Sequence, residues 1–459
     1  MSAFAPRPAT SRRLKYVVSL RRSRVDGNEH RRPYIGLEHI ESSTGRLVTD
    51  PSSMAQVASL ETGEGESTSN TFEQGDVLFG KLRPYLAKAW VAEFPGRCTT
   101  ELLVMQPVAA DARFLRYVCL WRDFIDAVDA STFGSKMPRA DWDLIGNMSV
   151  PVPNRPTQVA IADHLDRETG RLDALVAGKE RVLGLLVEKR RALITRAVTR
   201  GLPAEAAAKA GLDSRVRLRD SGISWLGEIP VHWRTERLKF LVPGIEQGWS
   251  PECHSVPAAD NEWGVLKAGC CNGGVFNPHE NKTLPSSLEP LVEFEVKPGD
   301  VLMSRASGST ELIGSVALVP ERSRDQLLLS DKIYRLSPDD RRVDRSFLVL
   351  VLGSDVGRFQ VKAVVSGAAG LANNIAQTDI REFSLPLPPA DEQHAIVSYI
   401  TAETAKLDAT HAATERTIAL LKERRAALIA AAVTGQIDVG SRRHYTDDAA
   451  RQKEPERRR

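Results

Sequence analysis

PVPNRPTQVAIADHLDRETGRLDALVAGKERVLGLLVEKRRALITRAVTRGL, residues 151–202, returns 235 positions later as PLPPADEQHAIVSYITAETAKLDATHAATERTIALLKERRAALIAAAVTGQI, residues 386–437. The two stretches align without a gap and agree at 23 of 52 positions, among them Gln158/Gln393, Glu168/Glu403, Leu172/Leu407, Glu188/Glu423 and Arg190/Arg425. A match of that length and register is an internal duplication, and it sets the architecture of everything around it. Each copy opens after a proline-rich strand end, where proline stops a β ladder and suits the first turn of a helix. In the first copy Ile161, Leu165, Leu172, Leu175, Val182, Leu186 and Leu193 follow alternating spacings of three and four, with Glu168, Lys179 and Lys189 at the skipped positions. Ile396, Ile400, Leu407, Leu421 and Leu428 continue the stripe in the second, with Thr410, Thr414 and Thr417 breaking its middle. The spacing predicts two long heptad-patterned helices. Neither stripe is rich enough to stand alone, so the helices are expected to pair with each other.

Outside these copies the repeat is fainter. RLKYVV from Arg13 returns as RLKFLV from Arg237, GDVLFGK from Gly75 as GDVLMSR from Gly299, and FLRYVCL from Phe114 as FLVLVLG from Phe347. Gly-Asp turns leading into short apolar strands, mixed with helical spacing after Phe114 and Phe347, indicate α+β heads without regular strand–helix alternation. The expected order is a variable head (1–150), a helical segment (151–202), a linker (203–235), a second head (236–385), a second helical segment (386–437) and a charged tail (438–459). One part of the repeat kept its sequence and the other diverged, which points to a shared scaffold or partner and two different recognition tasks.

Composition narrows the function classes. The chain has 459 residues, 42% of them hydrophobic, enough for several cores. Apolar runs such as Phe347 to Leu352 and Ala426 to Val433 fall far short of the roughly 18 residues of a membrane span. The first twenty residues lack the apolar core of a secretion signal. A cytoplasmic protein with no membrane partner is expected. Five cysteines at irregular spacing make no disulfide framework. Net charge is only +3, so nucleic-acid binding has to be argued from local patterns.

Enzyme motifs are missing where they would be looked for. There is no Walker A sequence. Asn277-Pro278-His279-Glu280 has histidine and glutamate where an adenine methyltransferase motif needs proline and a stacking aromatic ring. Glu295-Val296-Lys297 has no counterpart in the other head. Cys253, His254, Cys270, Cys271 and His279 lack the paired spacing of a structural zinc site, so no metal is expected.

The repeated helical segments with their Pro-x-Pro starts, EKRRALITRAVTRGL from Glu188, KERRAALIAAAVTGQI from Lys422 and DSGISWLGEIPVHW from Asp220 together resemble the specificity subunits of type I restriction-modification systems. The resemblance covers nearly the whole chain. It implies two target-recognition domains, each reading half of a split site on double-stranded DNA, separated by antiparallel, coiled-coil-like helices. It also implies two methyltransferase subunits and restriction subunits as partners. These would carry the cofactors S-adenosylmethionine, ATP and Mg, with none in this chain and no catalytic residue of its own. The first copy departs from the pattern in having Thr157-Gln158 where the second has Glu392-Gln393. A helix over Thr169 to Val198 would rise about 45 Å, on the order of thirteen base pairs of duplex.

Lys81 and Arg305 follow the two GDVL strands at matching positions and are the leading candidates for DNA contact. Arg83, Lys136, Arg139 and Lys332 stand in nearby loops, and Arg21, Arg22, Arg24, Arg31 and Arg32 form a basic run peculiar to the first head. Arginine and lysine in such places hold phosphates or reach guanine in the major groove. The plainer alternative is a solvated loop cation. A self-contained nuclease or methyltransferase with duplicated heads is the competing reading, and a helical scaffold without DNA is a third.

Overall fold

The computed structural model describes residues 10–25, 32–48, 68–134, 136–365 and 373–437. The chain divides into two compact units, Met1–Glu180 with Glu415–Arg459, and Arg181–Thr414. Both long helices form as the spacing predicts, over Arg155–Arg200 and Ala390–Val433. The boundary between units falls inside each of them. Each unit therefore holds one head, the start of the helix that follows it, and the end of the other long helix.

In the first unit, strands Val18–Leu20, Leu102–Pro107, Val77–Gly80 and Ala89–Val91 form an antiparallel sheet in that order. A smaller sheet of Arg24–Val25, Ser69–Phe72, Gly96–Cys98 and Tyr34–Ile35 lies in the same head. The second unit repeats the main sheet with Gly244–Gln247, Ile333–Ser337, Val301–Ser304 and Val316–Leu318 in the same order. The heads are thus α+β.

The helical spacing after Phe114 and Phe347 is realised as two helices in each head. Ala112–Leu120 and Arg122–Ala130 are separated by extended Trp121, and Arg345–Gly353 and Asp355–Val364 by extended Ser354, whose side chain caps the next helix by accepting from the Val356 N–H. Asp111 and Asp344 cap the first helix of each pair.

Not every residue of the heptad stripe serves helix pairing. Ile161 and Leu165 are buried in the core of the first head with Leu14, Phe114 and Val118, and are joined there by Ile429, Ala432 and Val433 from the far end of the second helix, with Leu428 against its edge. Ile396 and Ile400 enter the second head's core alongside Ala197 and Val198, with Leu193 at its edge. Leu172 is buried, and Leu186, Leu407 and Leu421 are half-buried. Leu175 and Val182 are 47% and 38% exposed, so the seam does not use them.

Antiparallel pairing is explicit in the ion pairs. Asp173 meets Arg425 and Glu180 meets Lys422 in the first unit, and Arg190 meets Asp408 in the second. Asp173 and Asp408 are equivalent residues of the repeat, as are Arg190 and Arg425, so one ion pair is made twice with the copies exchanged.

Residues 203–235, expected as a linker, are folded. They carry the helix Ala204–Lys209 and the paired strands Leu218–Asp220 and Glu228–Pro230, and they bury Ala207, Ile229 and Trp233 in the second core. Glu392 fastens this segment to the second long helix by accepting from His232 Nε2 at 2.8 Å and Trp233 Nε1 at 2.9 Å. Thr157, in the matching place, bonds to Asn154 instead. The adjacent glutamine does the same work in both copies. Gln158 accepts from the Asp111 N–H and donates to Pro153 and Ala109 carbonyls. Gln393 accepts from the Asp344 N–H and donates to those of Pro388 and Arg342. Among the described residues no helix is long and apolar enough to cross a membrane.

Candidate nucleic-acid interface

The two Gly-Asp turns are built alike. Gly75 and Gly299 take φ of +88° and +85°, a region open to glycine at little cost. The carboxylates of Asp76 and Asp300 each accept at 2.9 Å from a backbone N–H three residues back, Glu73 and Lys297. Asp76 is then held by Arg21, at 2.7 and 3.2 Å, and that hydrogen bond is the first cause holding the Arg21 guanidinium above its usual range. Arg335 plays the same part for Asp300, at 3.2 Å. Arg21, read from sequence as part of a basic surface run, is therefore engaged in anchoring a turn.

From these turns the GDVL strands lead to Lys81 and Arg305, whose backbones are held identically. Lys81 N–H donates to Glu101 O at 3.0 Å, and Arg305 N–H to Lys332 O at 2.8 Å. Their carbonyls accept from Ala140 and Ile375. The next residues, Leu82 and Ala306, bridge to Arg139 and Asn374. The equivalence read in the sequence thus holds in space, and it extends to two further pairs, Glu101/Lys332 and Arg139/Asn374.

The side chains on this shared frame differ. Arg305 donates to Tyr334 Oη at 3.0 Å and to Asp331 O at 3.1 Å, and lies over the tyrosine ring, which braces the strand. Lys81 instead lines a cavity of about 660 Å³ together with Arg22, Arg24, Arg139, Phe133 and Trp142. Arg139 forms a two-armed ion pair with Glu101, its NH2 at 3.0 Å and its Nε at 3.2 Å, which raises the guanidinium's pKa. Arg83 and Lys136 are exposed. Arg83 has left-handed backbone (φ +49°), a conformation costing a non-glycine residue about 1 kcal/mol or more. Lys332 is paired with Asp331 at 3.3 Å, and Arg32 with Glu73 at 3.1 Å. Arg31 and the tail from 438 lie outside the described residues.

Sequence reasoning missed Glu101 and Asn374, which only the paired backbone frames bring into register with Lys81 and Arg305, and Trp142, which shares the wall of the cavity with Lys81. The residues weighed for other chemistry have ordinary places. Asn277 accepts from the His279 N–H in a tight turn, and Cys270 and Cys271 are buried in a small core. Among the described residues no group of three or more His, Cys, Asp and Glu is placed to hold a metal ion.

Residues 265–420 match the type I restriction modification DNA specificity domain. That stretch is similar to the specificity domain of type I restriction systems. The EcoEI specificity subunit of Escherichia coli is 34% identical over 174 residues, which cover 38% of this chain and 29% of that protein. The EcoKI specificity subunit of Escherichia coli K12 is 23% identical over 324 residues, or 69% of this chain and 63% of that one. The matches thus span less than two thirds of these relatives' own length. A chain from a solved type I R-M system, described for complex assembly and conformational transition, shares the fold. Its TM-score is 0.63 at 21% identity, covering 95% of this chain and all of that one.

Proposed function

We propose that this chain is a two-headed reader of double-stranded DNA, each head recognising one half of a split site, and that it aims methyltransferase and restriction subunits without doing chemistry itself. The observation that carries the reading is the cavity of the first head, where Arg22, Arg24, Lys81 and Arg139 stand with Trp142 and Phe133 around a volume of about 660 Å³. Asp141 and Asp143 also line the cavity, and the cations outnumber them; cations beside aromatic rings suit a phosphate backbone and base edges better than a small apolar ligand. S-adenosylmethionine, ATP and Mg belong, on this reading, to the partner subunits, and the complex works in the cytoplasm.

The test is binding of the purified chain to duplex DNA over a salt series. Affinity should fall steeply as salt rises, and Arg22→Ala with Arg24→Ala should lower the log–log slope by about one for each phosphate no longer held. Adding cognate methyltransferase subunits should give adenine methylation at a two-part site. Salt-independent binding, or methyl transfer by the chain alone, would overturn the proposal.

A further inference from the structure

The two heads hold one backbone position identically and place different chemistry on it. Lys81 and Arg305 each donate to the residue just before the neighbouring strand of the main sheet, Glu101 or Lys332, and each accepts from the residue after Arg139 or Asn374. Ala140 and Ile375 point into the cores and are buried, whereas Arg139 and Asn374 just before them are partly exposed. On alternating backbone this turns Arg139 and Asn374 away from the core at the same place in each head. We infer that this position decides what each head reads: Arg139, held by Glu101, makes the first head a reader of guanine, and Asn374 makes the second a reader of adenine.

The inference rests on the DNA reading proposed above and deepens it. Arginine matches the O6 and N7 acceptors of guanine with two parallel N–H groups, and asparagine matches the N6 donor and N7 acceptor of adenine. Glu101 is a positioning residue. Its contacts with Nε and NH2 of Arg139 fix the plane of the guanidinium before any DNA arrives, so less side-chain freedom is lost on binding. In the second head Lys332 stands where Glu101 stands in the first, reversing the sign of the charge on the frame. Two heads with one scaffold and opposite side-chain chemistry at its exposed position would read different half-sites without any change of fold.

The experiment is selection from a random duplex library by the full-length chain, followed by sequencing of the enriched two-part motif. Arg139→Gln should convert one guanine to adenine in one half-site and leave the other half unchanged. Its affinity for the parental site should drop about ten- to hundredfold. Asn374→Arg should convert one adenine to guanine in the other half-site. The untouched half-site is the internal control for folding. Glu101→Ala should blur the same guanine, whereas Glu101→Asp, which keeps the carboxylate, should restore part of the preference. An unchanged motif, or a loss spread over both half-sites, overturns the inference while leaving DNA reading standing. A parent chain that enriches no motif overturns both.

Discussion

Equivalent aspartates of the repeat should differ sharply in what they contribute to stability. Asp173 and Asp408 each pair with the arginine of the other copy, but their surroundings are unequal. Asp173 and Arg425 are both about 10% exposed at the side chain. Asp173 accepts from Arg425 Nε and from Arg46 NH2, both at 2.9 Å, while Arg425 also donates to the Ser43 carbonyl at 2.6 Å. Asp408 is 60% exposed, and its partner Arg190 is 39% exposed. Removing one partner of a buried pair strands the other charge and costs about 3–5 kcal/mol. Solvent screening reduces an exposed pair to about 0–1 kcal/mol. With a tenth of each side chain in water, we take the lower end for the first pair. Asp173→Asn should cost about 3 kcal/mol and Asp408→Asn less than about 1 kcal/mol.

Urea unfolding of the two full-length variants measures this difference. Hydrogen exchange locates it. Asp173→Asn should speed exchange in residues 41–46 and 415–433, and Asp408→Asn should leave those segments as they are. Equal losses in the two variants, or a loss below about 1 kcal/mol for Asp173→Asn, would refute the reasoning, because burial would then not control the strength of the pair.

Gln393→Leu leaves one N–H and two carbonyls without their buried partner, so it should cost about 2–4 kcal/mol, and Gln158→Leu a similar amount, in denaturant melts. A thiol reagent applied to the native chain at mildly alkaline pH should label Cys253 first by mass spectrometry. Burial pushes Cys98 up to about 12 and Cys119 still higher, and leaves both out of reach. Asp340 is held below its ordinary pKa by the hydrogen bond from Arg345, so its stabilisation is present above the unfolded carboxyl's pKa and fades as pH falls through the folded one. Asp340→Asn should therefore flatten the acid limb of stability by less than about 1 kcal/mol, read as the melting temperature against pH.

The helices were legible because their signal is local and doubled: apolar spacing, a proline-bounded start, and the same landmarks 235 residues on. Which stripe residues meet a head was not legible, since Leu165 and Leu175 look alike in sequence and only the first has a core beside it. The break at Trp121 carries no glycine or proline to announce it. The segment from Asp220 to Trp233 read as linker on composition near Gly201, although its Trp-Leu and Ile-Pro pairs are apolar enough to pack. At the candidate site, position after GDVL located Lys81 and Arg305 correctly relative to one another. What each side chain does there depended on residues tens of positions away, Tyr334 for Arg305 and Glu101 for Arg139, and pairings of that range leave no mark in local spacing.

The uneven erosion of the repeat follows from who faces whom. A residue of one helix, such as Asp173, meets the counterpart of Arg190 on the other helix, and Asp408 meets Arg190 itself. A change at either position of the repeat therefore has to suit the other copy, as at any interface where equivalent residues exchange partners. Gln158 and Gln393 are bound in the same way to the backbone that opens each head's helix pair, so they too are fixed by geometry common to both copies. The bonds common to both frames around Lys81 and Arg305 are made by backbone groups, which constrain no side chain, and the Arg305–Tyr334 brace belongs to the second head. Arg139 can become Asn374, and Glu101 can become Lys332, while the backbone N–H and carbonyl of Lys81 and Arg305 keep equivalent partners. Divergence is cheapest where the backbone alone carries the structure, and on the proposed reading those are the positions that give each head its own half-site.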